Sequence, residues 1–140
     1  FCVELGVETG RGSFAFLEGG ATVIGVDNDQ TKKVERLAGH AFFTLITASS
    51  LPVPPEIGER NRKIDVLMVD TEHTHAQARE EFNAYKPYLA DGAVVLFDDT
   101  NAAEGEVLRY LNSLPYEKFV DDRLHESCGF GGIIYREDAI

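Results

Sequence analysis

Apolar residues along this chain fall into short unbroken blocks separated by charged stretches with helical spacing, a pattern that predicts strands alternating with helices. Phe1 to Leu5 predicts a buried strand, Ser13 to Glu18 a short helix and Thr22 to Val26 a second strand. Gln30 to Leu37 carries a charged helical pattern, and Ala41 to Ile46, rich in β-branched and aromatic residues, predicts a third strand. Leu51-Pro52-Val53-Pro54-Pro55 predicts a mobile loop, because proline lacks the amide donor and constrains its predecessor. Ile64 to Val69 has the apolar character of a strand covered on both faces of a parallel sheet. Ala76 to Leu89 predicts an amphipathic helix that buries Phe82, Tyr85 and Leu89, with Ala90-Asp91-Gly92 closing it. A fifth strand over Ala93 to Phe97 and a helix over Ala103 to Leu114 come next. Tyr116 to Val120 and Gly131 to Tyr135 read as a terminal antiparallel pair joined by a charged loop. Phe42, Phe43, Phe82, Tyr85 and Phe97 are the expected aromatic core.

This order implies an α/β fold: a doubly wound, Rossmann-like, mostly parallel sheet with a C-terminal antiparallel strand pair. A chain of 140 residues with 44% hydrophobic and 26% charged residues fits a single domain over 1–140 with one substantial core. Phe1 is not methionine and the first strand begins at once, so an amino-terminal segment is expected to be lacking, and part of the site with it.

Charge narrows the partners. Thirteen basic against twenty-four acidic residues give a net charge of −11, which repels phosphate backbones and anionic lipid. A small-molecule partner is expected, with no nucleic acid and no membrane. Cys2 and Cys128 have neither metal-site spacing nor the density of a disulfide framework, which points to a reducing cytoplasm.

In such sheets ligands bind beyond the carboxyl ends of the strands. The polar residues of interest fall there: Gly6 to Gly12 after the first strand, Asp27 after the second, Asp70 to His75 after the fourth and Asp98 to Asn101 after the fifth. Glycines allow close backbone approach to a ligand, and an acid ending the second strand can accept two ribose hydroxyls. A dinucleotide site would use Gly-x-Gly-x-x-Gly facing a pyrophosphate. Here the spacing is Gly6-x-x-x-Gly10-x-Gly12 with Glu8 inside the loop, which opposes a diphosphate and suits a cofactor bearing positive charge.

Glu4-x-Gly6-x-x-x-Gly10 with Asp27 resembles the first motif and ribose-binding acid of the class I S-adenosylmethionine-dependent methyltransferases. The terminal strand pair resembles the end of their seven-stranded sheet, and the likeness spans Val3 to Tyr135. Asp70-Thr71-Glu72-His73, followed by Tyr85-Lys86-Pro87 and the approach to Asp98-Asp99, is similar to the small-molecule O-methyltransferase-like group with an Asp-x-x-His signature. Thr71, Glu72, His75 and Ala90-Asp91-Gly92-Ala93 depart from that group's pattern. Thr47-Ala48-Ser49-Ser50 stands where the family often has an acid near the adenine amino group.

The resemblance implies S-adenosylmethionine as cofactor, held by Glu4, Gly6, Gly10, Asp27, Ser49 and Asp70, with His73, Asp70 and Asp98 in catalysis. Glu4 would either bond loop amides or meet the cofactor's amino group, and Asp27 could also cap a following helix. Asp70, Asp98 and Asp99 are hard oxygen donors at neighbouring strand ends and could hold Mg2+, as similar acids do in catechol-type methyltransferases. Alternatively Asp98 and Asp99 cap a helix. His73 serves as general base or orients Asp70, while His73-x-His75 alone lacks the third ligand of a zinc site. The expected reaction is methyl transfer to an oxygen or nitrogen acceptor. The alternatives are a degenerate, non-catalytic cofactor-binding domain and a nicotinamide-dependent oxidoreductase, the latter disfavoured by Glu8 and the glycine spacing.

Overall fold

The computed structural model describes residues 1–29, 34–121 and 128–139. Seven strands form one sheet in the order β3-β2-β1-β4-β5-β7-β6: β1 (Cys2–Leu5), β2 (Val23–Asp27), β3 (Phe43–Thr47), β4 (Ile64–Val69), β5 (Leu89–Asp98), β6 (Glu117–Asp121) and β7 (Phe130–Ile134). The first five pair in parallel, and β7 runs antiparallel between β5 and β6. The expected doubly wound sheet with a terminal antiparallel pair is therefore present.

The helices are α1 (Arg11–Glu18), α2 (Pro55–Gly58), α3 (His75–Tyr85) and α4 (Glu106–Ser113). The central strands supply a continuous core: Val3, Leu5, Leu67, Val95 and Phe97 are fully buried, packed with Phe82 and Tyr85 of α3 and Leu111 of α4. On α3 the buried positions are Ala78, Glu81, Phe82 and Tyr85, a stripe at helical spacing that includes one carboxylate.

Several sequence expectations are corrected. The helix expected to reach Leu89 stops at Tyr85 and tightens into a 3-10 turn over Lys86–Tyr88, where Pro87 has no amide to continue the hydrogen-bond ladder. Ala90-Asp91-Gly92 does not close that helix but lies inside β5. There the register jumps between Ile64 opposite Leu89 and Val66 opposite Val94, so the extra β5 residues bulge, and Gly92 takes a φ of 82°. The proline-rich loop gives way to α2 at Pro55, where the first position of a helix tolerates a missing amide. The helix expected from Ala103 begins as a 3-10 turn and becomes α-helical only after Gly105. Phe42 is not core: it is 61% exposed just before β3, which is an outer strand of the sheet. Of the expected helix over Gln30 to Leu37, Glu35–Leu37 form a 3-10 turn, and Gln30 to Lys33 lie outside the described residues. No helix among the described residues is long and apolar enough to cross a membrane.

Candidate active site

The chain runs outward from β1 through β2 to β3, then returns to place β4 on the other side of β1. This reversal opens a crevice at the carboxyl ends of β1 and β4. A cleft of about 570 Å3 lies there, within the range of small-ligand pockets. Gly6, Asp27, Ser49, Asp70, His73, Asp98 and Asp99 all line it. Glu8, Asp27, Asp29, Asp70, Glu72, Asp98 and Asp99 are on its wall, and no lysine or arginine is among the described lining residues.

Gly6 follows β1 with a φ of 83°, and a Cβ there would overlap the Asp70 carbonyl oxygen. Only glycine allows these two loops to touch. Asp27 holds the loop from the other side. Its Oδ2 accepts the Val7 and Glu8 amides, both at 2.9 Å, and its Oδ1 accepts the Asp29 amide at 2.8 Å. The two amides occupy both lone pairs of Oδ2, while Oδ1 keeps one, so the anchoring leaves Asp27 able to accept a ribose hydroxyl at Oδ1.

Glu4 and Gly10 serve the scaffold. Glu4 is buried and accepts the Ser13 hydroxyl and backbone amide at the start of α1, which favours the loop-amide reading of this residue. Burial raises its carboxyl to about 7 against those hydrogen bonds, with Asp27 and Asp98 adding repulsion. Gly10 precedes α1 with a φ of 79°, and any side chain there would collide with Val34 and Leu37. Neither residue is on the cleft wall.

The acids beyond β4 and β5 form a tight group. Burial lifts Asp70 to about 7, helped by the charges of Asp98, Glu4, Asp99 and Glu8. Burial also lifts Asp98, opposed by the Asp99 amide and by a hydrogen bond with the Asp70 carboxyl. His73 Nε2 lies 3.4 Å from Asp99 Oδ2 and 4.0 Å from Asp70 Oδ1. Both His73 and Asp99 have left-handed backbones, with φ of 54° and 49°, an uncommon arrangement for side chains other than glycine. His75 points elsewhere, edge-on to Tyr110 at 5.3 Å, with its amide on Glu106.

Among the described residues no three His, Cys, Asp or Glu are grouped to hold a metal ion. Asp70 and Asp98 bond each other, and Asp99 faces His73. The donor set expected for Mg2+ does not fit, and no step through a metal follows from it.

One network escaped sequence reasoning. Glu81 of α3, fully buried, accepts the Ser50 hydroxyl at 2.6 Å, the Gln77 amide nitrogen at 2.9 Å and the Thr71 hydroxyl at 2.8 Å. Ser50, Thr71 and Gln77 line the cleft. Its only signal in the sequence is a charged residue one position before Phe82 on the buried stripe.

Strand order, crevice and acid-lined cleft together define the fold of the class I S-adenosylmethionine-dependent methyltransferases. The chain matches the family described as a methyltransferase domain over residues 3–100 and belongs to it. No curated protein sequence matches it. Among solved structures it is similar to an O-methyltransferase from Bacillus cereus in complex with SAH, with TM-score 0.74 and 13% identity over 96% of this chain and 73% of that one. A cofactor-bound protein from MTB, Rv0187, aligns with TM-score 0.75 and 13% identity over 98% and 73% of the two chains. An rRNA methylase from Streptococcus thermophilus aligns with TM-score 0.70 and 15% identity over 97% and 86%.

Proposed function

We propose that this domain transfers a methyl group from S-adenosylmethionine to an oxygen or nitrogen nucleophile of a small molecule. The observation that carries the reading is the acid-lined cleft at the sheet's reversal, entered by the Gly6 loop and Asp27 and without a described lysine or arginine. Such a wall repels a pyrophosphate and attracts a cation. It favours the sulfonium cofactor over a nicotinamide dinucleotide, and the net charge of −11 works against RNA phosphates as acceptor.

When bound, S-adenosylmethionine supplies a methyl group on a positively charged sulfur, a leaving group that needs no protonation. The chain's task is then to position the acceptor and take its proton. Asp27 receives a ribose hydroxyl at Oδ1, and the Gly6 loop gives backbone access to the cofactor's amino-acid end. Asp98 and Asp70, hydrogen-bonded to each other, can accept a hydrogen bond from the acceptor. His73, oriented by the contact of its Nε2 with Asp99, removes the acceptor's proton at its other ring nitrogen, Nδ1, as the nucleophile's lone pair forms its new bond to carbon.

Calorimetric titration with S-adenosylhomocysteine beside a nicotinamide dinucleotide tests the cofactor reading. Micromolar binding of the former alone is expected, and binding of the dinucleotide instead overturns it. A panel of phenols, carboxylates and amines with labelled donor then tests transfer. Cofactor binding without turnover across that panel would favour a non-catalytic domain.

A further inference from the structure

Glu81 is a fully buried acid with no basic group among its hydrogen-bond partners. Burying a carboxylate is costly, and packing alone would be served as well by an apolar residue beside Phe82 and Tyr85. What the carboxylate does that an apolar side chain cannot is fix the direction of hydrogen bonds. A carboxylate only accepts, so Ser50 and Thr71 each give it their single hydroxyl proton. Both residues also line the cleft, and each hydroxyl, its proton given to Glu81, keeps only lone pairs to offer. The backbone there is pinned as well, because the Tyr85 hydroxyl donates to the Ser50 carbonyl at 2.9 Å.

Ser50 and Thr71 sit on the wall formed by the segments after β3 and β4. A nucleoside with its ribose on Asp27 can turn its base away from the acids around Asp98, where the acceptor must react, and toward the wall that holds Ser50 and Thr71. We propose that Glu81 is a positioning residue that makes Ser50 and Thr71 proton acceptors only, so that this wall selects an amino-substituted purine over a 6-oxo purine. The inference rests on the cofactor reading above and adds to it the residue that sets base specificity. An exocyclic amine donates into the wall, whereas a 6-oxo group meets lone pairs with its own lone pairs.

The test is calorimetric titration of the wild-type chain, Glu81→Gln and Thr71→Val with S-adenosylhomocysteine and its 6-oxo counterpart, S-inosylhomocysteine. Wild type is expected to prefer the amino ligand by about tenfold or more. In Glu81→Gln the new amide NH2 donates to one hydroxyl, which then turns its proton into the cleft. The preference should fall to within about threefold, whereas a merely structural lesion would weaken both ligands alike. Thr71→Val removes one acceptor while keeping Glu81 and should also narrow the preference, which covers the case in which Glu81→Gln fails to fold. An unchanged preference in either folded variant, or equal binding of the two ligands by wild type, overturns the inference and leaves the cofactor reading standing. Wild type binding neither ligand overturns both.

Discussion

Gly6 and Asp70 meet backbone to backbone: the position a Cβ would occupy on Gly6 is already taken by the Asp70 carbonyl oxygen. With a φ of 83°, Gly6 is excluded from replacement on two grounds, conformation and space. Gly6→Ala is therefore expected to lose roughly 2–4 kcal/mol of stability, since the atom in the way is backbone and cannot rotate aside. Urea denaturation measures it, and a loss under about 0.5 kcal/mol would mean that the loops separate easily.

Asp27 anchors the glycine loop and, in the function proposed above, also receives the cofactor's ribose. Asp27→Asn puts an NH2 where a carboxylate oxygen now accepts backbone amides, so either the Val7 and Glu8 amides or the Asp29 amide face a donor. Affinity for S-adenosylhomocysteine should fall by about tenfold or more. Calorimetry that found Asp27→Ala within about twofold of wild type would refute the ribose assignment.

The buried acids predict the pH dependence of stability. Asp70 and Glu4 move from ordinary values of 3.8 and 4.5 to about 7 in the fold. The folded chain thus holds protons that the unfolded chain gives up. Their stabilisation is fully present below the ordinary values and is lost as pH rises through about 7. Melting temperature should decline from about pH 5 to about pH 8, and Asp70→Asn should flatten the decline. A melting temperature that rises over this interval would contradict the assigned shifts. A cationic ligand beside Asp70 should also expel a proton, read as a binding heat that varies with the buffer's ionisation enthalpy.

His73→Gln tests the base without altering the charge of the cleft wall when the imidazole is neutral. Methyl transfer is expected to slow by about a hundredfold or more while the dissociation constant for S-adenosylhomocysteine stays within about twofold. Equal losses in rate and affinity would make His73 a cofactor contact instead of a base.

Tyr85→Phe removes only a hydroxyl, yet it leaves the buried Ser50 carbonyl without that donor. A cost of about 1–2 kcal/mol in thermal or chemical denaturation is expected.

The alternation of apolar blocks was enough to foresee the sheet, because each parallel strand must be apolar on both faces and each covering helix on one. Gly6, Asp27, Ser49, Asp70, His73, Asp98 and Asp99 were legible as one group because strand order sends their loops to a common edge. Glu4 was harder to place. Its motif is visible, but which way a buried carboxylate turns depends on Ser13 arriving with α1. The Glu81 network joins residues up to thirty-one positions apart, and no local spacing announces it. Ala90-Asp91-Gly92 misled because a glycine that ends a helix and one that permits a bulge look alike until the partner strand fixes the register.

The acid-lined wall has a consequence for turnover. A sulfonium donor arrives positively charged and leaves as a neutral thioether, so losing the methyl group also removes one of the attractions that drew the ligand in. The same carboxylates that gather the loaded form loosen their hold on the spent one. Product escape would thus be built into the cleft's electrostatics, and added salt should narrow the affinity gap between the two forms.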